Sequence, residues 1–364
     1  MKAYELIPKL IRAALAEDKK SLESISLMIG RSIKKEHPNI ASEIMQIIAG
    51  NNVGADVFRS IDLSPAPIDK ESRSQLLKIE EALEIEQPIL EKEVEKQLLD
   101  FVKERKILGR FLEEDIVPPN SILLYGKPGV GKTYAAKWLA SVLKMPLVTV
   151  DLATSISSYL GRTGQNIKSI FDFAKTQDVV LFLDELDAIA KRRDDKADLG
   201  ELKRLVNVLL KELEDCPINC IIIGATNHPE ILDTAVWRRF DRAIEVPLPG
   251  KLQRLELIKR TLGKWNTQLK DSTIQFIAEN SDLVSAADLC KMCEHIKRQI
   301  LLNEGVGPDI IAVKECCRLA QLKNKEDKVR ICRLLKSNFS KLSIREIAEI
   351  TNIPSASVSR YIKE

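Results

Sequence analysis

Ser121-Ile-Leu-Leu-Tyr-Gly126-Lys127-Pro128-Gly129-Val130-Gly131-Lys132-Thr133-Tyr134 decides the fold. Ser121–Tyr125 is a short apolar run that reads as a buried strand, and Thr133–Leu143 reads as the helix after it. Between them Gly126, Gly129 and Gly131 allow a tight turn whose backbone N–H groups face a pyrophosphate at a helix start. Lys132 has the reach for β- and γ-phosphates, and the Thr133 hydroxyl can ligate Mg²⁺. Lys127, Pro128, Val130 and Tyr134 complete the stretch expected to touch nucleotide. A glycine turn with a chance lysine would look alike in isolation. The strand before it and the helix after it argue for a phosphate loop.

Two further apolar runs end in chemistry. Leu181-Phe-Leu-Asp184-Glu185 places one carboxylate where it can hold Mg²⁺ through water, and a second where it can polarise an attacking water. A solvated acidic loop, with Asp187 nearby, is the alternative. Asn227 closes Ile221–Thr226, and its amide can donate towards a γ-phosphate and orient water. Arg238 and Arg239 offer planar cationic donors for charge developing on a transferred phosphoryl group. Taken alone they fit exposed residues at a helix end equally well.

The alternation around these runs predicts an α/β fold: a parallel P-loop sheet with helices on both faces, a helical lid, and helical units at the N- and C-terminal ends. Strands are expected at Ser121–Tyr125, Leu147–Val150, Val179–Leu183, Ile221–Ala225 and Ala243–Val246, three of them nearly uninterrupted in apolar character. The expected domains are an N-terminal helical unit at 1–50, a turn-rich linker at 51–87, the core at 88–250, the lid at 251–308 and a last helical unit at 321–364. In the first unit Tyr4, Leu6, Ile7, Leu10, Ile11, Ala14 and Leu15 recur at helical spacing.

The 364 residues, 45% of them apolar, suffice for two or three conventional cores, and the formal charge of +3 selects no partner. Residues 1–20 interleave charge with Leu and Ile, and no run reaches the roughly 18 apolar residues that span a bilayer. A cytoplasmic protein with no membrane partner is expected. Seven cysteines show no framework spacing. Cys290 with Cys293 and Cys316 with Cys317 could be assembled into a zinc site, but read more simply as buried thiols on helices.

Over roughly residues 88–305 the chain resembles the AAA family of P-loop ATPases. Gly126–Thr133 matches that family's first nucleotide motif and Leu181–Glu185 its second, while Thr226-Asn227 through Arg242 resembles its second region of homology. The resemblance implies ATP with Mg²⁺, Thr133 and Asp184 at the metal, Glu185 at the water and Asn227 as sensor. It makes Arg238 and Arg239 candidate fingers acting on the neighbouring subunit's ATP in a homo-oligomeric ring, usually a hexamer. Relatives often separate these arginines by two residues; here they touch, which leaves their division of labour open. Leu283 to Leu289 resembles a lid segment that works without an arginine, so no second sensor arginine is nominated. Ser157-Ser-Tyr159-Leu160-Gly161 resembles the first pore loop, in which an aromatic and an aliphatic side chain grip a polypeptide substrate. A tyrosine packed into the domain is the alternative. The chain is similar to bacterial stand-alone members often encoded beside a subtilisin-like protease, which implies a protease partner.

Residues 321–364 carry ten Lys/Arg against five Asp/Glu. Ser343-Ile-Arg-Glu346 reads as a capping box opening a helix to Ile350, Thr351–Pro354 as a turn, and Ser355–Ile362 as a second helix. An upstream helix carries Val329, Ile331, Leu334 and Leu335. The pattern resembles a helix-turn-helix, whose second helix would offer Ser355, Ser357, Ser359 and Arg360 to double-stranded DNA. A protein docking module is the alternative. Two functions therefore stand: an ATP-driven ring that remodels or threads protein, and an ATPase whose assembly on DNA is its output.

Overall fold

The apolar runs form strands because both of their faces are covered. A computed structural model describes residues 3–15, 19–34, 37–50, 67, 76–152, 163–188, 199–303, 305–319, 325–340 and 342–363. Six strands make one sheet: β1 (Lys78–Glu80), β2 (Ser121–Tyr125), β3 (Leu147–Asp151), β4 (Val180–Asp184), β5 (Ile221–Thr226) and β6 (Arg242–Glu245), in the order β1-β3-β4-β5-β2-β6. β3, β4, β5, β2 and β6 run parallel, whereas β1 pairs antiparallel with β3. All six residues of β5 are buried, as a central parallel strand requires. β6 buries only Ile244, as expected at an edge.

The expected strands are all present, with ends shifted by a residue. β1 was not anticipated; it lies within the stretch read as linker. Three residues with Lys78 and Glu80 on a sheet edge carry almost no periodic signal, and their order comes from pairing with β3 and from the ion pair between Lys137 and Glu80 at 2.8 Å.

The chain divides into two compact units. In the first, three helices precede the sheet: α1 (Ala3–Leu15), α2 (Lys19–Ile33) and α3 (Pro38–Gly50). Next come α4 (Lys92–Lys106), α5 (Leu108–Glu113), α6 (Lys132–Leu143), α7 (Thr163–Thr176), α8 (Leu199–Glu214) and the short α9 (Thr234–Trp237). Val150, Ile170, Phe171, Leu181, Leu183, Leu209, Ile222 and Phe240 form the core that holds β3–β5 against α7 and α8. Met45 and Ile48 of α3 pack on Leu108 and Leu112 of α5, joining the N-terminal helices to the sheet unit. On α1 the inward residues are Leu6 and Ala13; Tyr4 (66%), Ile7 (47%), Ile11 (54%) and Leu15 (82%) face outward.

Asp241 secures the start of β2. Its carboxylate accepts from the backbone N–H groups of Asn120 (2.9 Å) and Ser121 (3.0 Å) and from the Ser121 hydroxyl (2.7 Å). These charge-assisted bonds fix the entry to the strand that delivers the glycine loop.

The second unit holds α10 (Lys251–Leu262), α11 (Asp271–Glu279), α12 (Ala286–Leu302), α13 (Pro308–Leu319), α14 (Lys325–Asn338), α15 (Ile344–Thr351) and α16 (Ser355–Lys363). One apolar cluster runs from Ile258 and Leu289 through Cys316 and Cys332 to Ile347, Val358 and Tyr361. The segment read as a separate C-terminal unit thus shares its interior with the helices before it. Phe276 of α11 meets Phe339 edge-on at 6.5 Å, one of the contacts that makes the interior continuous.

A shared interior has a measurable consequence. Ile347→Ala, at a fully buried position, is expected to cost about 2–5 kcal/mol. Hydrogen exchange should then accelerate in α10 and α12 together with α15. Acceleration confined to α14–α16 would show that the C-terminal helices unfold on their own.

Candidate nucleotide site

The glycine loop, Asp184, Glu185 and Asn227 sit at the carboxyl ends of strands or in the turns that leave them. Gly126 follows β2 with φ 143°, and a Cβ there would lie 2.3 Å from the Val246 carbonyl oxygen. Only glycine permits that approach. Residues 127–131 of the loop belong to the second unit. There the Gly129 carbonyl accepts from the Ala287 N–H at 2.9 Å, and Gly129 (φ 76°) leaves no room for a Cβ beside the Ser285 hydroxyl. Ser285 also caps α12 through the Asp288 N–H.

Lys132 opens α6 and is buried. Its ammonium donates to the Gly126 carbonyl at 2.7 Å and to Asn227 Oδ1 at 2.8 Å. Burial lowers its pKa, against which the charges of Asp184 and Asp187 act to keep it protonated. Asp184 ends β4. Burial raises its pKa, and the Glu185 N–H at 2.9 Å, Lys132 and the Thr133 side chain pull it back. Glu185 itself is exposed with φ 54°, a left-handed backbone that costs a non-glycine residue of order 1 kcal/mol or more. The turn is enforced from both sides: the Leu186 N–H donates to the Ala225 carbonyl (2.9 Å) and the Ala188 N–H to the Glu185 carbonyl (2.8 Å).

Asp187 is the residue whose part was not read from the sequence, where it counted only as extra acidity. It is buried, and its Oδ1 accepts from the Thr226 hydroxyl at 3.1 Å and the Asn227 backbone N–H at 3.2 Å. A carboxylate leaving β4 therefore fixes the tip of β5, where Asn227 sits. Its inward direction follows from the left-handed turn at Glu185, for which the sequence carries no signal.

Other expected residues lie elsewhere. Arg238 and Arg239 are exposed at the end of α9, with Arg239 3.5 Å from Glu214. The Tyr134 hydroxyl donates to the Glu86 carbonyl at 3.0 Å, bracing α6 against the chain before α4. Lys127 and Pro128 are exposed, and Val130 is buried. Tyr159 and Leu160 lie outside the described residues.

The donor set suits a hard cation that keeps most of its water. Thr133 and Asp184 supply a hydroxyl and a carboxylate, the sparse oxygen ligation that Mg²⁺ adopts beside phosphates. Among the described residues no group of three or more His, Cys, Asp or Glu converges on a metal position. Burial pushes the thiols of Cys293 and Cys316 up to about 12, and both sit in the apolar interior of the second unit.

A glycine loop between β2 and α6, with an acid and an amide at the neighbouring strand ends, defines a P-loop nucleotidase sheet. The comparisons narrow the class. Residues 122–248 match the model of the ATPase family associated with various cellular activities (AAA). An uncharacterized AAA family ATPase, y4kL, of Sinorhizobium fredii (strain NBRC 101917 / NGR234) is 40% identical over 164 residues, 44% of this chain and 50% of that protein. A proteasome-activating nucleotidase of Thermococcus onnurineus (strain NA1) is 39% identical over 186 residues, 49% of this chain and 46% of that protein. The match thus spans about half the length of these curated relatives. The solved AAA domain of FIGL-1 superimposes with TM-score 0.53 at 19% identity, over 81% of this chain and 94% of that one. Its complex with ADP gives TM-score 0.53 at 21% identity, over 74% and 95%. Residues 122–248 thus match an AAA-family P-loop ATPase domain.

Gly126→Ala tests the closeness of the loop to β6. A side chain at this φ, with a carbonyl oxygen in its path, is expected to cost at least about 2 kcal/mol. A urea denaturation midpoint equal to that of the unaltered protein would contradict the geometry.

Proposed function

We propose that the chain hydrolyses ATP with Mg²⁺ as a homo-oligomeric ring, a hexamer in the simplest case, and uses the energy to remodel or thread a protein. The observation that carries the reading is the convergence of Lys132, Asp184 and Asn227 at the ends of three adjacent elements, with Lys132 bonded to Asn227 at 2.8 Å. The neutral oxygens of Gly126 and Asn227 on this ammonium can be exchanged for phosphate oxygens, which bind a cation more strongly.

In this reading Asp184 and Thr133 hold Mg²⁺, which neutralises charge on the phosphates. Glu185, exposed at its turn, accepts a proton from water as the water oxygen bonds to the γ-phosphorus and the bond to the ADP oxygen breaks. Asn227 orients the water, and Asp187 keeps Asn227 at the correct height. Arg238 and Arg239, exposed on their own protomer, act on the nucleotide of the next one. Tyr159 and Leu160 grip the substrate chain. A relative named as a proteasome-activating nucleotidase supports a role in supplying a protease, with a subtilisin-like enzyme as the proposed partner.

Shared sites make a specific mixing prediction. Glu185→Gln should bind ATP but lower phosphate release by roughly 10²-fold or more, and a protein with alanine at both Arg238 and Arg239 should be similarly slow. Mixed together, the two should recover turnover, because some interfaces then pair an intact Glu185 with a neighbour's intact arginines. No recovery in rings shown by light scattering to be mixed would overturn action between protomers.

The part given to Asp187 separates binding from chemistry. Asp187→Ala should cut kcat about tenfold or more while KM for ATP changes only a fewfold, because Lys132 and the loop remain. Asp187→Asn should restore part of kcat, because its amide oxygen can accept the same two bonds while the charge facing Lys132 is lost. Equal losses in kcat and in nucleotide affinity, with no difference between the two variants, would reduce Asp187 to a structural residue.

A further inference from the structure

We propose that the outer face of α16 is a docking surface for double-stranded DNA, a binding activity separate from ATP cleavage. The local fold is that of two short helices set by a tight turn. The Ser343–Glu346 capping box forms as read, with the Glu346 N–H donating to the Ser343 hydroxyl (3.2 Å) and the Ser343 N–H to the Glu346 carboxylate (2.7 Å). Asn352 then ends α15 in the left-handed conformation (φ 55°, ψ 36°), and Ser355 starts α16.

Which side of α16 faces solvent follows from what is buried. Val358 and Tyr361 point into the common core with Ile347, Ile350 and Ile353. That leaves Ser355, Ala356, Ser359, Arg360 and Lys363 on one continuous outer face; all are exposed except Ser359, which is half-buried. Ser357, expected on this face from the sequence, falls on the opposite margin. The helix contains no carboxylate. Small hydroxyl and methyl groups at its first turns let a backbone approach closely, and two long cations follow at its last turns.

A cation from a neighbouring helix borders this face. The Arg333 guanidinium of α14 donates to the Tyr361 carbonyl at 3.2 Å, which places its charge beside the last turn of α16. Arg330 and Arg345 are exposed on α14 and α15. Of the acids on α15, Glu346 is engaged in its cap, its carboxyl held below the usual range by the Ser343 N–H.

Charge and shape choose the occupant. A polyanion complements a face of hydroxyls and cations. Protein partners are anchored by large aromatic and aliphatic side chains, which this face lacks. Single strands are held by bases stacking on exposed aromatic rings, and Tyr361, the one aromatic on α16, is buried with Arg360 5.3 Å from its ring centre. A helix bearing small polar side chains and an arginine suits the major groove of a duplex.

The test is fluorescence anisotropy of the full chain with a labelled mixed-sequence DNA duplex of about two helical turns, titrated between about 50 and 200 mM salt. Binding should weaken steeply with salt. Replacing Arg360 and Lys363 together by alanine should reduce affinity about tenfold at low salt and flatten the log–log salt slope by about 2. Ser359→Asp, which adds only repulsion, should weaken binding in the same direction. Glu185→Gln should bind the duplex as the unaltered protein does, so loss of turnover and loss of DNA binding are read separately. Absence of salt-sensitive duplex binding, indifference to all three substitutions, or tighter binding to an oligothymidine strand would each overturn the assignment.

Discussion

The buried ammonium of Lys132 is the charge around which the catalytic end of the sheet is arranged. An amine taken out of water is costly unless opposite charge and hydrogen-bond acceptors surround it. Here Gly126 and Asn227 supply the acceptors, while Asp184 and Asp187 supply the charge. These residues lie at three strand ends, so holding one ammonium fixes the mutual positions of β2, β4 and β5 where nucleotide chemistry is proposed. Removing one partner from such a cluster typically costs several kcal/mol, which makes it a device for registration as much as for binding.

Asp187 adds a second layer. It takes part in neutralising Lys132 and it pins the β5 tip through Thr226 and Asn227. One carboxylate thus couples the charge of the phosphate-loop lysine to the height of the proposed sensor. The left-handed backbone of Glu185 fits the same logic. The turn it occupies is held by bonds from Leu186 and Ala188, so the strain is maintained by neighbours and the carboxylate is projected outward.

Much of this was legible in the sequence because buried parallel strands leave an unmistakable pattern. The runs at 121–125, 180–184 and 221–226 are apolar on both faces, and the functional residues follow directly at their ends. The capping box at Ser343 was equally clear, since two hydrogen bonds between fixed positions need no tertiary context. Three features were not legible. β1 is too short to show a period and exists through pairing with β3. The inward role of Asp187 depends on the turn at Glu185, which no local composition announces. The exposure of Tyr4, Ile7, Ile11 and Leu15 depends on which side of α1 finds a partner, whereas periodicity reports only that a side exists.

The second unit shows why domain limits are harder to read than elements. A shift to basic composition over 321–364 suggests a boundary, but apolar side chains of α14–α16 close over those of α10–α13. Packed interiors transmit displacement poorly by bending and well by moving as a body. Gly129 rests on the start of α12 through the Ala287 bond, α12 packs on α13, and α13 packs on α15. A pull on the phosphate loop is therefore resisted by the same body that presents the cationic face of α16. Should nucleotide change the affinity for DNA by some factor, linkage requires DNA to change the affinity for nucleotide by the same factor.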